Sequence, residues 1–451
     1  MTQIDYQSIV ILKIKKGENI IMENWKEIYR SKVVSVKEAA AMIASGDRIW
    51  CAPCEAAPFQ LMEALADRKD ELKDVNVISA LALYPFKLLQ SPEYIGRINY
   101  HTIFYGGYER AYKKAGNVSV NSVHFSKVHI ALKSFYKVNV LMADVSLPDE
   151  DGYLYYGPIG AAWNGTAEEM AEKIIVQVNK HQPRVNGMEH RVHVSKVSCI
   201  CEHDHPLPAL KQDAPTDIDN KIADFVVPQI PDGATIQIGL GALSNAIGYK
   251  LEQKKNLSVH TEMFTDSMME LVRKGVINGK MVAGFGLGSE ELYNFIGEGK
   301  VELTPIRIVN DIREVAKVDK IMSVNVTLMV DLTGQACSES LGFMQYSSTG
   351  GQADFVRGAA LSKGGKSFLC VPSTVTSKDG KVTSTITSVF PPGAVVTTSR
   401  ADIMYVVTEF GIADLFCKPI RERVKALIAI AHPDFREQLG KEAVELGLTG
   451  T

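Results

Sequence analysis

Residues 231–262 decide the fold: Pro231-Asp232-Gly233-Ala234-Thr235-Ile236-Gln237-Ile238-Gly239-Leu240-Gly241 opens the stretch and Leu257-Ser258-Val259-His260-Thr261-Glu262 closes it. A Pro-Asp-Gly turn runs into an apolar strand over Ala234–Ile238, and the two glycines lead into a helix over Leu243–Glu252. Leu257–Thr261 then reads as a second strand, and Asp219–Val226 as the helix before the turn. This is a β-α-β crossover, which implies a parallel sheet. The same order occurs upstream. Ser35-Val36-Lys37-Glu38 has the form of a capping box before a helix over Ala39–Ala44 that ends near Gly46. Ile49-Trp50-Cys51 reads as a strand, Pro58 opens a helix through about Leu72 with Leu61, Ala64, Leu65 and Leu72 on one face, and Val75–Leu83 is a buried strand.

Two halves that open alike predict an α/β protein of two similar domains, each built on a mostly parallel sheet with flanking helices. The alternation is shared by α/β chains in general, so it does not by itself require an internal repeat. Asp204–Asp217 contains Pro206, Pro208 and Pro215, the composition of a connecting segment, and places the boundary near residue 215. The expected units are 22–215 and 216–451, preceded by residues 1–21 as a leader or disordered tail in which Lys13, Lys15 and Lys16 show no helical periodicity.

At about 150 residues per domain, 451 residues fit two to three domains. Hydrophobic residues at 46% and charged residues at 22% allow a large core and exclude function through disorder. Lys plus Arg at 49 against Asp plus Glu at 52 gives a net charge of −3, which supplies no footprint for nucleic acid. No apolar run approaches the roughly 18 residues of a membrane span, and Ile9–Leu12 is cut by Lys13 before it could form a signal-peptide core. Seven scattered cysteines do not form a disulfide framework. The expectation is a soluble, cytoplasmic chain with no nucleic-acid or membrane partner.

Several motifs carry possible chemistry. Cys51-Ala52-Pro53-Cys54 has dithiol spacing, but it lies inside the repeated unit whose second copy holds Gly239-Leu240-Gly241, so a loop lining a cleft is the favoured reading. Cys199, Cys201, His203 and His205 alternate along a strand and spread over roughly 20 Å, too far apart for ligands that must converge at 2.0 to 2.3 Å, so no metal is expected. Gly239-Leu240-Gly241 lies where a strand becomes a helix and can present backbone N–H groups to an anion. A dinucleotide fold would also place an acid near Glu262, but Ser244 stands where the third glycine belongs. Glu262, following the strand, suits a base or a covalent nucleophile; the alternative is an N-terminal helix acid. Gly284–Ser289 and Ser347–Phe355 are further small-residue turns, suited to backbone contact with a bulky thioester or nucleotide.

The motifs resemble the acetyl-CoA hydrolase/transferase family, and within it the butyryl-CoA:acetate and 4-hydroxybutyrate CoA-transferases. The likeness covers nearly everything from Met22 to Gly450 and rests on Gln237-Ile238-Gly239-Leu240-Gly241, His260-Thr261-Glu262-Met263-Phe264, Val309-Asn310-Asp311, Gly350-Gly351-Gln352-Ala353-Asp354-Phe355, Val407-Thr408-Glu409-Phe410-Gly411 and Ala431-His432-Pro433-Asp434-Phe435-Arg436. The resemblance implies an active site in the cleft between two CoA-transferase-type domains. It implies Glu262 as nucleophile, Gln237, Ile238, Gly239, Leu240 and Gly241 as the CoA-binding loop, and Gly350 and Gly351 as backbone contacts to CoA and the thioester oxygen. Asn310, Gln352 and Glu409 align with polar cleft residues.

The implied activity is short-chain acyl-CoA:carboxylate CoA transfer, ping-pong through a glutamyl-CoA thioester. Coenzyme A is then substrate and covalent intermediate, with no permanently bound cofactor and no metal. The implied partners are an acyl-CoA and a short-chain carboxylate, and the implied assembly is a homodimer or larger. Hydrolysis at the same site and a 4-hydroxybutyrate substrate are the alternatives. Cys51–Pro58 lacks the histidine that hydroxy-acid relatives tend to carry there, and Asn278–Gly284 looks shorter than in relatives, which implies a reduced flap. Leu361–Phe368 and Ser377–Gly380 match the butyrate and acetate type most closely.

Overall fold

The computed structural model describes residues 25–210 and 214–449. The leader proposed for residues 1–21 and part of the connecting segment lie outside the described residues.

Seven strands form the first sheet: β1 (Arg48–Cys51), β2 (Val75–Ser79), β3 (Ile98–Thr102), β4 (Val118–Val120), β5 (Val140–Val145), β6 (Lys173–Val178) and β7 (Cys199–Glu202). All neighbours are parallel, in the order β7-β6-β5-β1-β2-β3-β4. The second sheet repeats this plan with β8 (Thr235–Ile238), β9 (Leu257–Phe264), β10 (Ile277–Gly286), β11 (Glu302–Leu303), β12 (Ile321–Val326), β13 (Lys366–Cys370) and β14 (Tyr405–Thr408). Its order is β14-β13-β12-β8-β9-β10-β11. In both, the first strand is central, the next three step to one side and the last three to the other. The repeat expected from the β-α-β openings is therefore a repeat of topology.

The second sheet is extended at both edges, by antiparallel Gly411–Asp414 beside β14 and by Asn186–Gly187 beside β11. The latter strand comes from the first half of the chain, so the halves are sewn together. One apolar cluster also spans them, with Met263, Phe285, Leu287, Tyr293 and Ile306 packing among Trp50, Phe125, Ile159 and Trp163.

A capping box opens the helix that precedes the central strand in each half. Ser35 and Glu38 form the expected capping box on α1 (Val36–Ala41), and Thr216 with Asp219 forms another on α3 (Asp217–Val226). α2 (Phe59–Ala66) stops six residues short of the expected end at Leu72. The reason is local. Arg68 turns away to donate to the Ala40 and Ile43 carbonyls at the end of α1, while Leu72 is buried beyond the helix. The strand expected through Leu83 ends at Ser79, because Leu81 adopts φ +41° and Ala82 donates to the Glu109 carboxylate.

Two further expectations change. Asn278–Gly284 is no flap but part of β10, hydrogen-bonded within the sheet. Gly284 and Gly286 belong to that strand as well, not to a ligand-facing turn: a Cβ on Gly284 would strike Ile306, and one on Gly286 would strike Ile296. These glycines let helices pack close to the sheet.

Candidate active site

β9 places Glu262 by alternation. Leu257, Val259 and Thr261 are buried on one face, while Ser258, His260 and Glu262 are partly exposed on the other. The strand does not end before Glu262, as its sequence suggested, because Met263 and Phe264 continue the ladder opposite Phe285 and Gly286. Nor is Glu262 the acid of a helix first turn; that place is taken by Asp266 in α5 (Asp266–Arg273). A short helix, Ile306–Val309, lies over this face. His260 Nε2 meets the Val309 carbonyl at 2.8 Å, and the next residue, Asn310, donates its side-chain amide to Glu262 Oε2 at 2.8 Å.

Two helix starts approach the same spot. Gly241, at φ +114°, is the N-cap of α4 (Ala242–Lys250), and Gly351 is the N-cap of α6 (Gln352–Leu361). The first-turn N–H groups of a helix have no intrahelical acceptor and carry partial positive charge, so each start can face an oxyanion or a phosphate. A Cβ on Gly351 would collide with Glu262 Oε2 and with the Asn310 amide. Glycine is needed here for approach, since its φ of −104° is open to any residue.

Glu262 faces a cavity that encloses about 620 Å³ of empty space, part of it open to solvent. Cys54, Ala80, Leu81, Phe104, Phe125, Ile159 and Trp163 line it from the first half of the chain. Gln237, Ile238, Gly239, Leu240, Met263, Phe285, Asn325, Gly351, Gln352 and Phe355 line it with Glu262 from the second. The wall is mostly aromatic and aliphatic, with three amide side chains (Gln237, Asn325 and Gln352), Glu262 as its carboxylate and, among the described residues, no Lys, Arg or His. Burial pushes the Glu262 carboxyl up to about 8; the neighbouring Asp354 carboxylate adds to this and the Asn310 hydrogen bond opposes it.

Of the residues singled out by sequence, Gln237, Ile238, Gly239, Leu240, Gly351 and Gln352 reach the cavity with Glu262. Asn310 touches the carboxylate itself. Gly241 stands one residue behind, and Gly350, at φ +60°, gives its carbonyl to the Phe125 N–H at 3.1 Å. The Gln237 side chain is tied by Ser323 and Asn325, which both donate to its Oε1, at 2.6 and 3.0 Å. The Gly239 N–H is committed to the Val324 carbonyl at 2.9 Å, so Gly239 contributes closeness and not a donor. Glu409 is not brought to the cavity. It accepts from the backbone N–H and the hydroxyl of Ser373, at 2.9 and 2.5 Å.

Cys54 reaches the cavity wall, but burial pushes the Cys51 thiol up to about 12 and raises the Cys54 thiol well above its usual value. A redox dithiol needs the opposite shift. Cys199 and Cys201 are buried in β7, with His203 and His205 beyond its end, and among the described residues no group of three His, Cys, Asp or Glu side chains converges on a metal position. Sequence reasoning missed Phe104, Phe125, Trp163 and Asn325; the polar residues of Ser323-Val324-Asn325 inside an apolar strand were the available signal for the last.

Two matched parallel sheets, one strand-borne glutamate and two glycine-started helices define an enzyme that works in a cavity between the two halves of the chain. The chain belongs to the acetyl-CoA hydrolase/transferase family: residues 18–211 match its N-terminal domain and residues 288–443 its C-terminal domain. It is 39% identical to 4-hydroxybutyrate coenzyme A transferase of Clostridium kluyveri, over 93% of this chain and 98% of that protein. It is 36% identical to butyryl-CoA:acetate CoA-transferase of Anaerostipes caccae, over 93% and 97%. The crystal structure of RipA from Yersinia pestis superposes with a TM-score of 0.88 at 32% identity, covering 94% of this chain and all of that one.

Proposed function

We propose that the protein is a short-chain acyl-CoA:carboxylate CoA-transferase of the butyryl-CoA:acetate type, with Glu262 as covalent carrier. The observation that carries this reading is the cavity wall: one carboxylate in a mostly apolar and aromatic lining that, among the described residues, holds no cation to pair a second substrate charge. Such a wall suits an unbranched aliphatic acyl group and offers no cation to the second charge of a dicarboxylate. The Cys51–Pro58 loop, buried for much of its length and without histidine, agrees.

The Glu262 carboxylate attacks the acyl-CoA carbonyl, and the C–S bond breaks to give an acyl-glutamyl anhydride and CoA thiolate. The thiolate attacks the glutamyl carbonyl of the anhydride, releasing the first acid and leaving CoA on Glu262 as a thioester. The acceptor carboxylate attacks that thioester, CoA thiolate leaves, and its return to the acceptor's acyl carbon releases the new acyl-CoA and regenerates Glu262. Each tetrahedral oxyanion needs donors, and loss of one typically costs about 3 kcal/mol. The Asn310 amide, which reaches Glu262 Oε2, and the start of α6, against which that oxygen rests, are the groups placed to supply them. Coenzyme A is substrate and transient adduct.

The same reading assigns the enzyme to the cytoplasm, where seven free cysteines, six of them buried, stay reduced, and to a homodimer or larger assembly. Among the described residues no helix is long and apolar enough to cross a membrane. Exchange of labelled acetate into butyryl-CoA tests the activity: transfer is expected, and release of free CoA without label in the thioester would make the enzyme a hydrolase.

A further inference from the structure

Behind Glu262 lies a second carboxylate, fully within the fold, that the transfer steps do not use. Asp354 sits in the first turn of α6, three residues past Gly351, and is 2% exposed. It accepts from the backbone N–H of Ser126 at 3.1 Å and from the Ser126 hydroxyl at 2.7 Å. Ser126 belongs to the first half of the chain, and the residue before it, Phe125, donates to the Gly350 carbonyl. The Asn310 amide that donates to Glu262 also interacts with the Asp354 carboxylate, while Asn310 Oδ1 is buried without a partner among the described residues. His124 faces Asp354 from the same loop as Ser126, with its Nδ1 buried and unpartnered among the described residues. His260, beside Glu262 on β9, is turned away to the Val309 carbonyl.

Two neighbouring carboxylates that share one amide, Asp354 buried and Glu262 in an apolar cavity, cannot both keep a negative charge cheaply. They are not equivalent. Burial raises the Asp354 carboxyl above its usual value, but two donors from Ser126, His124 beside it, the Asn310 amide and the N-terminal turn of a ten-residue helix oppose this and favour the charged form. Glu262 has one donor and an apolar cavity.

We propose that Asp354 is a positioning residue that, held ionised by Ser126 across the domain boundary, keeps Glu262 protonated in the empty site and makes its ionised form a stronger nucleophile. The reactivity follows from charge. Repulsion from Asp354 raises the energy of the Glu262 anion, and that repulsion is relieved as the charge passes to the thioester oxygen, farther off and met by helix-start donors. The nucleophile and the interdomain loop are thereby linked: the site acquires its electrostatics only when the 124–126 loop is docked on α6. The reactivity half of this inference rests on the transferase reading; the protonation half does not.

The test reads Glu262 directly. Difference infrared spectra of substrate-free enzyme across pH 5 to 9, with Glu262→Gln subtracted to assign the protonated carboxyl band, give its titration midpoint. The wild type should titrate near pH 8. Asp354→Asn should move the midpoint down by about one unit or more and shift the inflection of kcat/KM for acyl-CoA with it. Ser126→Ala, which leaves Asp354 in place but weakens its hold on the charge, should move the midpoint in the same direction by a smaller amount and serves if Asp354→Asn does not fold. Asp354→Glu should restore most of the wild-type value. A folded Asp354→Asn or Ser126→Ala enzyme with an unmoved midpoint overturns the proposal. A shifted midpoint in an enzyme that forms no adduct at Glu262 would support the pairing while refuting the nucleophile assignment.

Discussion

Glu262 Oε2 occupies the space that a Cβ on Gly351 would need, so the carboxylate rests against bare backbone at the start of α6. The contact fixes the carboxylate between that helix start and the Asn310 amide. It also explains why a glycine stands at a position whose backbone conformation makes no such demand.

Gly351→Ala should therefore act on the site and spare the fold. The added methyl displaces both the carboxylate and the Asn310 amide, and a misplacement on the order of 1 Å costs about 10²-fold. The expected result is a loss of at least that size in kcat/KM with a melting temperature close to wild type. Near-normal turnover would show that the carboxylate need not rest there.

Asn310→Ala removes the donor that holds the Glu262 carboxyl down against burial. The inflection of kcat/KM for acyl-CoA should move to higher pH than in the wild type, where Glu262 is raised to about 8, and activity at pH 7 should fall by roughly tenfold or more. A pH-rate profile decides it: a reduced rate with an unmoved inflection would give Asn310 a role in substrate binding alone.

Stability should carry the same signature. The usual glutamate value of 4.5 rises to about 8 in the fold, so between these pH values the folded state holds a proton that the unfolded chain has lost. The Glu262 contribution consequently weakens folding as pH rises through that window. Glu262→Gln, neutral throughout, should melt a few degrees higher than wild type at pH 7.5 and about equally at pH 4. Equal melting at both pH values would mean that Glu262 is ionised in the empty site.

The Cys51 and Cys54 thiols are buried and pushed up, so neither is a thiolate at neutral pH. Replacing both by Ser should lower turnover only modestly and leave the rate insensitive to reductant. Complete loss of activity with a redox-dependent wild-type rate would reinstate dithiol chemistry.

What sequence made legible was local. Pro231–Glu262 yields its turn, strand and helix because each signal lies within a few residues of what it controls, and the Ser35–Glu38 capping box marks its helix in the same way. Glu262 read as lying past its strand because a polar residue among apolar neighbours looks like an end; only the pairing of Met263 and Phe264 with β10 shows the strand continuing. Phe104, Phe125 and Trp163 were hidden for a different reason. Nothing near them in the chain says that a second sheet will bring Glu262 to face them. Asp354 lay within a motif read for its glycines, and its bonds to Ser126, 228 residues away, are a fact of tertiary structure. Glu409 illustrates the converse, since alignment with a family motif did not bring its side chain to the cavity.

If CoA rests covalently on Glu262 between the two half-reactions, as proposed, the adduct can be trapped. Enzyme incubated with acyl-CoA and no acceptor should carry CoA as a thioester, which borohydride reduces to an alcohol while leaving a free carboxylate untouched. The expected result is inactivation only after incubation with acyl-CoA, protection by added acetate, and a peptide mass that places the reduced side chain at Glu262. An unmodified protein under these conditions, or a label on any other residue, would contradict it.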